Sequence, residues 1–472
     1  MDKKVDVAII GAGTAGLSAV HEVQKATQNF VIINGGKYGT TCARVGCMPS
    51  KVLIQVANDF HRRHVFSKLG IHGANNLNLS VPEVLRHVRS LRDRFVGGVL
   101  QTVEGLGDHN MEGYAQFVKP NVLQVGDVTV QVNKVILATG SRPNIPQSWQ
   151  SFASRLITSD DIFEREDLPA AIGVVGLGVI GLELGQALHR LGIKTTCVGR
   201  RPTIGGLSDP EVNRYAVKAM SQEMDFWTGF EAKVKPEGQR FRLSYGDQSV
   251  VVDGILASLG RRPNLENVGL EKVGIKLNAQ GLPSFNTHTM QVEDLPIFIA
   301  GDMNGDRLIL HESADEGRIA GYNSVQTSPA QFSRRTGLKI TFSHPNIAVV
   351  GHSFADLQGE DIAIGEVKFD GQGRALVMEE NSGYLRVYGH RETGLLLGAE
   401  MVAPAGEHLA HLLSWVIQKQ TTVFEVLQLP FYHPVVEEGL RTALRDLAAK
   451  VNTTPADMEL ALCGESGVEC LS

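Results

Sequence analysis

The chain has 472 residues, more than one ordinary core can hold, and is expected to divide into about three domains. Hydrophobic residues make up 43% and charged residues 20%, the balance of a globular protein. The net charge of -6 argues against a general affinity for nucleic acid or anionic membrane, and no apolar run approaches the roughly 20 residues that span a bilayer.

Val5 to Ile10, dense in Val and Ile, predicts a buried parallel strand. Lys3-Lys4 precede it, but so short an apolar run reads as a strand entering a turn, not as a signal peptide. Gly11-Ala12-Gly13-Thr14-Ala15-Gly16 follows as a GxGxxG, then a helix-like run from Leu17 to Lys25 and a strand at Phe30 to Ile33. In that β-α-β setting the glycines permit the turn, let backbone N–H groups reach a pyrophosphate, and let helix pack on strand. Asn34 falls where an acid usually holds the ribose hydroxyls; it can hydrogen-bond there without charge.

The stretch Gly39-Thr40-Thr41-Cys42-Ala43-Arg44-Val45-Gly46-Cys47-Met48-Pro49-Ser50-Lys51 places two cysteines five positions apart. Pro49 suits the first turn of a helix, whose positive end would favour thiolate over thiol, and Lys51 adds a cation. The pair therefore reads as a redox-active dithiol. A zinc site would need a second Cys or His pair, and none follows at the usual spacing. With five cysteines in all, the expected location is the cytoplasm, where a disulfide is usually catalytic.

Helices are expected from Lys51 to about His64 and from Val81 to Leu106, with short antiparallel strands between Tyr114 and Val132. Val135 to Ala138 reads as a strand ending in the turn Thr139-Gly140. The pattern then restarts: strand Ile172 to Val175, a second GxGxxG at Gly176, Gly178 and Gly181, a helix bearing Glu183, and strand Thr195 to Val198. Two dinucleotide sites in one chain suggest two nucleotides exchanging electrons. Gly199 occupies the ribose-reading position of the second unit, followed by Arg200 and Arg201, which suit a 2′-phosphate or form a solvated turn. Cys197 reads as an inert core residue.

Asp302 ends the strand Phe298 to Gly301, where α/β sheets place ligands, and Ser313 to Val325 is expected to be helical. From Leu338 onward the pattern is α+β, with a boundary near Pro329 to Thr336. His433, just before a helix from Glu438 to Lys450, is a candidate general base and Glu438 its orienter. Cys463 and Cys470 near the end could form an auxiliary dithiol or an inert tail.

Together these motifs resemble the flavin-dependent pyridine nucleotide–disulfide oxidoreductases, the group of dihydrolipoamide dehydrogenase, glutathione reductase and mercuric reductase. The resemblance spans essentially the whole chain. It implies an α/β fold with two Rossmann-like domains, for FAD (1–160 and 280–335) and NAD(P) (161–279), and an α+β dimerisation domain (336–472). It implies that Gly11, Gly13, Gly16, Asn34, Lys51, Thr139, Gly140 and Asp302 hold FAD. Gly176, Gly178, Gly181, Glu183, Arg200 and Arg201 would serve NAD(P). It further implies that Cys47 faces the flavin, Cys42 exchanges with substrate, Lys51 pairs with Glu183, and His433 and Glu438 act across a homodimer. No metal is expected.

Several positions depart from the family pattern. Asn34 stands for an acid, Thr40 for a glycine, Gly199 for the acid of NAD-dependent members, and Glu437 for a small hydroxyl residue. Gly181 is the NAD-like choice, whereas the arginines point to NADP(H), to which charge gives a slight lean. His433 speaks against mercuric reductase and Cys42 against the soluble transhydrogenases. The expected activity is that of a dihydrolipoamide dehydrogenase-like enzyme acting on a small or lipoyl-domain dithiol; the alternative is an NADPH-dependent reductase of another disulfide.

Overall fold

The computed structural model describes residues 2–453 and 458–460. Cys463 and Cys470 lie outside the described residues.

The first domain is built on a seven-stranded sheet. Strand Asp2–Ile10 lies parallel between Phe30–Asn34 and Val128–Leu137, with Asn110–Glu112 outside Phe30–Asn34. Val128–Leu137 is longer than the sequence suggested. Its first half pairs antiparallel with Val122–Val125, its last residues parallel with Ile297–Ile299. One strand thus carries both the hairpins expected before Val132 and the strand leading to Thr139-Gly140. The helix Thr14–Val23 begins immediately after Gly13 and packs on Leu310–Ser324. The fit is backbone-close: a Cβ at Gly317 would stand 2.9 Å from Ala15 Cα.

The second domain has a parallel four-stranded sheet in the order Asp225–Thr228, Lys194–Gly199, Ala171–Val175, Gly254–Ala257. A three-stranded antiparallel meander from Lys233 to Val252 covers one side through Phe241 and Leu243. The boundaries fall earlier than 161 and 279. Trp149, Phe152 and Leu156 pack in this domain's core, and Ile157 bridges to Leu256. Val268, Leu270, Val273 and Ile275 return to the first domain's core. The apolar side chains of these connecting segments set the division. The crossing is made by two short antiparallel strands, Ser141–Pro143 and Arg261–Pro263.

The third domain is a five-stranded antiparallel sheet running Leu338–Thr341, Asn346–Gly351, Leu396–Ala403, Tyr384–His390, Ile362–Lys368. Helices Gly406–Gln418 and Glu437–Ala448 pack on it. It is riveted to the second domain by two buried carboxylates. Glu400 accepts from the backbone N–H groups of Ser208, Asp209 and Phe354, while Asp209 caps the helix Pro210–Glu223 and accepts from Arg386 and Tyr388. Among the described residues no helix is long and apolar enough to cross a membrane.

Candidate active site

Cys47 is the first residue of the helix Cys47–His61, four positions earlier than the sequence suggested. Pro49 sits third in that helix, still within the turn whose N–H groups lack intrahelical partners, so its missing donor is harmless. Cys42 lies in the short helix Thr41–Arg44 just before it. The two cysteines titrate as a unit. The hydrogen bond from Cys42 to Cys47 pushes the Cys42 thiol far up, with burial adding to it. The same bond, helped by Lys51 and the helix-start N–H, brings Cys47 down to about 7 against the opposing effect of burial. Charge therefore collects on Cys47 and the proton on Cys42.

Thr40 precedes this pair at φ 59°, a conformation that favours glycine and is rare for a β-branched residue. Its hydroxyl accepts from Ala43 N–H at 3.2 Å and caps the helix that carries Cys42.

Lys51 Nζ lies 2.7 Å from Glu183 Oε2, joining the first domain to the second. Glu183 is only 5% exposed and also accepts from Phe342 N–H at 2.9 Å, from the third domain. Neither Phe342 nor Gln186 carries a sequence signal. Gln186 grips the backbone of His344 in both directions, at 2.8 Å each.

Both glycine turns have the form expected. Gly11 has φ 112°, and a Cβ there would collide with the Ala138 carbonyl. Gly13 and Gly178 cap their helices with no side chain, and the space where each Cβ would stand is open. Free N–H groups beside an open cradle fit a pyrophosphate at each turn. Asn34 turns its Oδ1 to Ala12 N–H at 3.2 Å and its amide to the Gly36 carbonyl at 2.7 Å, bracing the first turn. Thr139 and Gly140 are tied to Asn264 on the far side of the crossing. Asp302 accepts from Ser141 Oγ at 2.6 Å, and Arg261 binds that same hydroxyl and Asp160. Arg261 thus links the Asp302 site to the second domain, a role the sequence reading missed.

In the second unit, a Cβ at Gly181 would meet Ser258 Oγ at 2.6 Å and the Gly176 carbonyl closer still. Packing alone therefore demands glycine, and Gly181 says nothing about the nucleotide. At Gly199 a Cβ would stand 2.9 Å from the Leu177 side chain, so no acid fits without moving it. Arg200 and Arg201 are exposed, and neither side chain makes a hydrogen bond or ion pair among the described residues.

His433 Nδ1 is 3.0 Å from Glu438 Oε1, and Glu438 also accepts from Val435 N–H. The His433 bond, then that N–H, hold the Glu438 carboxyl below its usual range. With Nδ1 engaged, Nε2 is left for proton transfer. The imidazole is largely exposed, and among the described residues no hydrogen bond joins it to either cysteine within one chain. No group of His, Cys, Asp and Glu that could hold a metal ion occurs among the described residues.

Residues 5–329 match the model of the pyridine nucleotide-disulphide oxidoreductases, and residues 338–444 match the dimerisation domain of the same family. The chain belongs to this family. Its members use FAD and a pyridine nucleotide. Relatives include a dihydrolipoyl dehydrogenase of Thermus scotoductus, 29% identical over 94% of this chain and 98% of the relative. One from Bacillus subtilis is 27% identical with the same coverage. Among solved structures, LpdA from Mycobacterium tuberculosis superposes with a TM-score of 0.82 at 23% identity, covering 93% of this chain and 99% of that one. The HOCl-induced flavoprotein disulfide reductase RclA of Escherichia coli, as its Cu(II) complex, gives 0.82 at 19% identity, covering 94% and 99%. At those identities the structures carry the fold alone.

Proposed function

We propose that the protein is a dihydrolipoyl dehydrogenase-type enzyme, exchanging two electrons between a nicotinamide and a small or lipoyl-borne dithiol through Cys42 and Cys47. The observation that carries this reading is the asymmetric pair itself, with Cys47 brought down to about 7 beside the Lys51–Glu183 contact. Bound FAD, for which Gly11, Gly13, Asn34 and Asp302 provide a fitting cradle, would supply the two-electron carrier between nicotinamide and dithiol.

The unequal cysteines set the order of exchange. A lower leaving-group pKa speeds departure, so a substrate thiolate attacks Cys42 Sγ of the disulfide and expels Cys47 as thiolate. The second substrate thiolate then attacks its own sulfur bound to Cys42. The substrate leaves as a disulfide, and Cys42 takes the electron pair and a proton. That proton passes through His433 of the partner subunit, whose Nδ1 is fixed by Glu438 of the partner subunit. In reverse, the strongly raised Cys42 needs the same base before it can attack a disulfide. The reading requires a homodimer, in keeping with the dimerisation domain, and a reducing compartment such as the cytoplasm.

A second reading, an NADPH-dependent reductase of another disulfide, is favoured by the exposed Arg200 and Arg201, which have no partner among the described residues, and by the crowding of Gly199 against Leu177 where an acid would stand. Anaerobic oxidation of dihydrolipoamide with NAD and NADP side by side separates the two. Rapid turnover with either nucleotide supports the first; failure with both, while NADPH still bleaches the flavin, supports the second.

A further inference from the structure

Phe342 is the point where the third domain touches the Lys51–Glu183 pair. It sits between strands Leu338–Thr341 and Asn346–Gly351 and makes two contacts there. Its N–H donates to Glu183 Oε1 at 2.9 Å, while Lys51 holds the other carboxylate oxygen at 2.7 Å. Its ring centroid lies 4.5 Å from Lys51 Nζ. One residue thus fixes both members of the ion pair, the anion through the backbone and the cation through the ring.

We infer that Phe342 is a positioning residue for the reactive dithiol: it holds the Lys51 ammonium against Glu183, one turn along the helix that begins at Cys47, so that the ring sets how strongly the cation supports the Cys47 thiolate. The inference rests on the reading of Cys47 as the reactive thiolate. An ammonium over an aromatic face is held by the ring quadrupole, and the hold strengthens as water is removed. Lys51 is 31% exposed on its side chain, so without the ring it can swing into water and its field at Cys47 becomes that of a solvated charge. Among the described residues, the charged and titratable groups that act on Cys47 are Cys42 from the helix Thr41–Arg44, Lys51 from its own helix and Glu183 from Val179–Arg190. Of these Lys51 is the cation, and Phe342 is the aromatic cover in contact with it. The loop that presents Phe342 is itself clamped. Gln186, one turn beyond Glu183, binds His344 N–H and carbonyl, and Arg190 reaches the same carbonyl at 3.4 Å. Three residues on one helix face therefore read the backbone of a four-residue loop and keep the ring in place.

The test is the pH profile of Cys47 alkylation by iodoacetamide, read on its own peptide by mass spectrometry, in a Cys42→Ser background. Phe342→Leu keeps apolar cover but removes the ring; it is expected to raise the midpoint by about half a pH unit or more. Phe342→Tyr retains the face and should keep the original midpoint. In a Lys51→Met background Phe342→Leu should cause no further shift, because the ring acts through Lys51. Phe342→Met repeats the test if the leucine variant folds poorly. An unchanged midpoint in Phe342→Leu, or an equal shift that persists without Lys51, would overturn the inference while leaving the proposed function standing. A midpoint near that of an ordinary thiol in the reduced protein with both Phe342 and Cys42 intact would instead remove the reading of Cys47, and the inference with it.

Discussion

Lys51 and Glu183 are 132 residues apart in sequence and 2.7 Å apart in space, and Phe342 N–H closes on the same carboxylate. A residue from each of the three domains thus meets beside the dithiol. The ion pair is half-screened, since Glu183 is buried and Lys51 partly exposed, so its value lies less in stability than in holding a cation near Cys47.

Removing that cation should be felt at the sulfur. Lys51→Met is expected to raise the Cys47 value by about one unit, the ordinary size of a nearby opposite charge. Because the folded value is depressed, thiolate is present above about 7 and lost as pH falls through it. In the variant that loss should begin at higher pH. Thiolate absorbance across a pH titration, compared with Cys47→Ser, checks it.

Thr40 carries strain that glycine would not. Replacing it should release about 1–3 kcal/mol of backbone strain and give up only a few tenths for the lost cap. Thr40→Gly is therefore expected to raise the thermal unfolding midpoint. It should also loosen the helix bearing Cys42, slowing disulfide exchange while the protein becomes more stable. A lowered midpoint would show that the φ of 59° is not strained in this setting.

Acid stability should depend on His61. Burial first, then the Arg190 guanidinium, lower it from 6.5 to about 4. The folded state keeps His61 neutral where the unfolded chain takes a proton, so stability falls as pH drops from about 6.5 toward about 4. His344 is pushed the same way, by burial and then Arg190, and adds to the slope. His61→Gln should flatten the decline in part, as read by denaturant unfolding at pH 7 and pH 5.

Nucleotide choice turns on two exposed guanidinium groups. If Arg200 and Arg201 hold a 2′-phosphate, replacing both with Ala should raise KM for NADPH at least tenfold, from about 1.5–3 kcal/mol per charge-assisted bond. KM for NADH should stay within about twofold. Equal effects on both nucleotides would leave the arginines as a surface turn.

Much of this site was legible from local patterns. The two β-α-β turns, the Cys42–Cys47 stretch and the His433–Glu438 pair each lie within a few residues, where spacing and helix geometry constrain chemistry. The contact of Lys51 with Glu183 entered through family resemblance, since nothing local joins them. Phe342, Gln186 and Arg261 went unread because each acts across a domain boundary: the first two through backbone groups that leave no mark on sequence, Arg261 through side-chain partners some 100 residues or more away. The expected boundaries at 161 and 279 failed for a related reason. Segments such as Val268 to Ile275 are short and apolar without a clear period, and only packing decides which core takes them. Gly181, read as a sign of NAD, is explained by the Ser258 hydroxyl against it.

The central claim is that Cys42 and Cys47 exchange electrons with a dithiol. The direct measurement mixes the oxidised protein anaerobically with dihydrolipoamide, quenches with an alkylating agent, and reads both cysteines by mass spectrometry. Cys42 and Cys47 should pass from a linked pair to two alkylated thiols within one turnover, and Cys42→Ser should show no such change in Cys47. A pair that stays linked at excess dihydrolipoamide, or that never links in the oxidised protein, would contradict the claim.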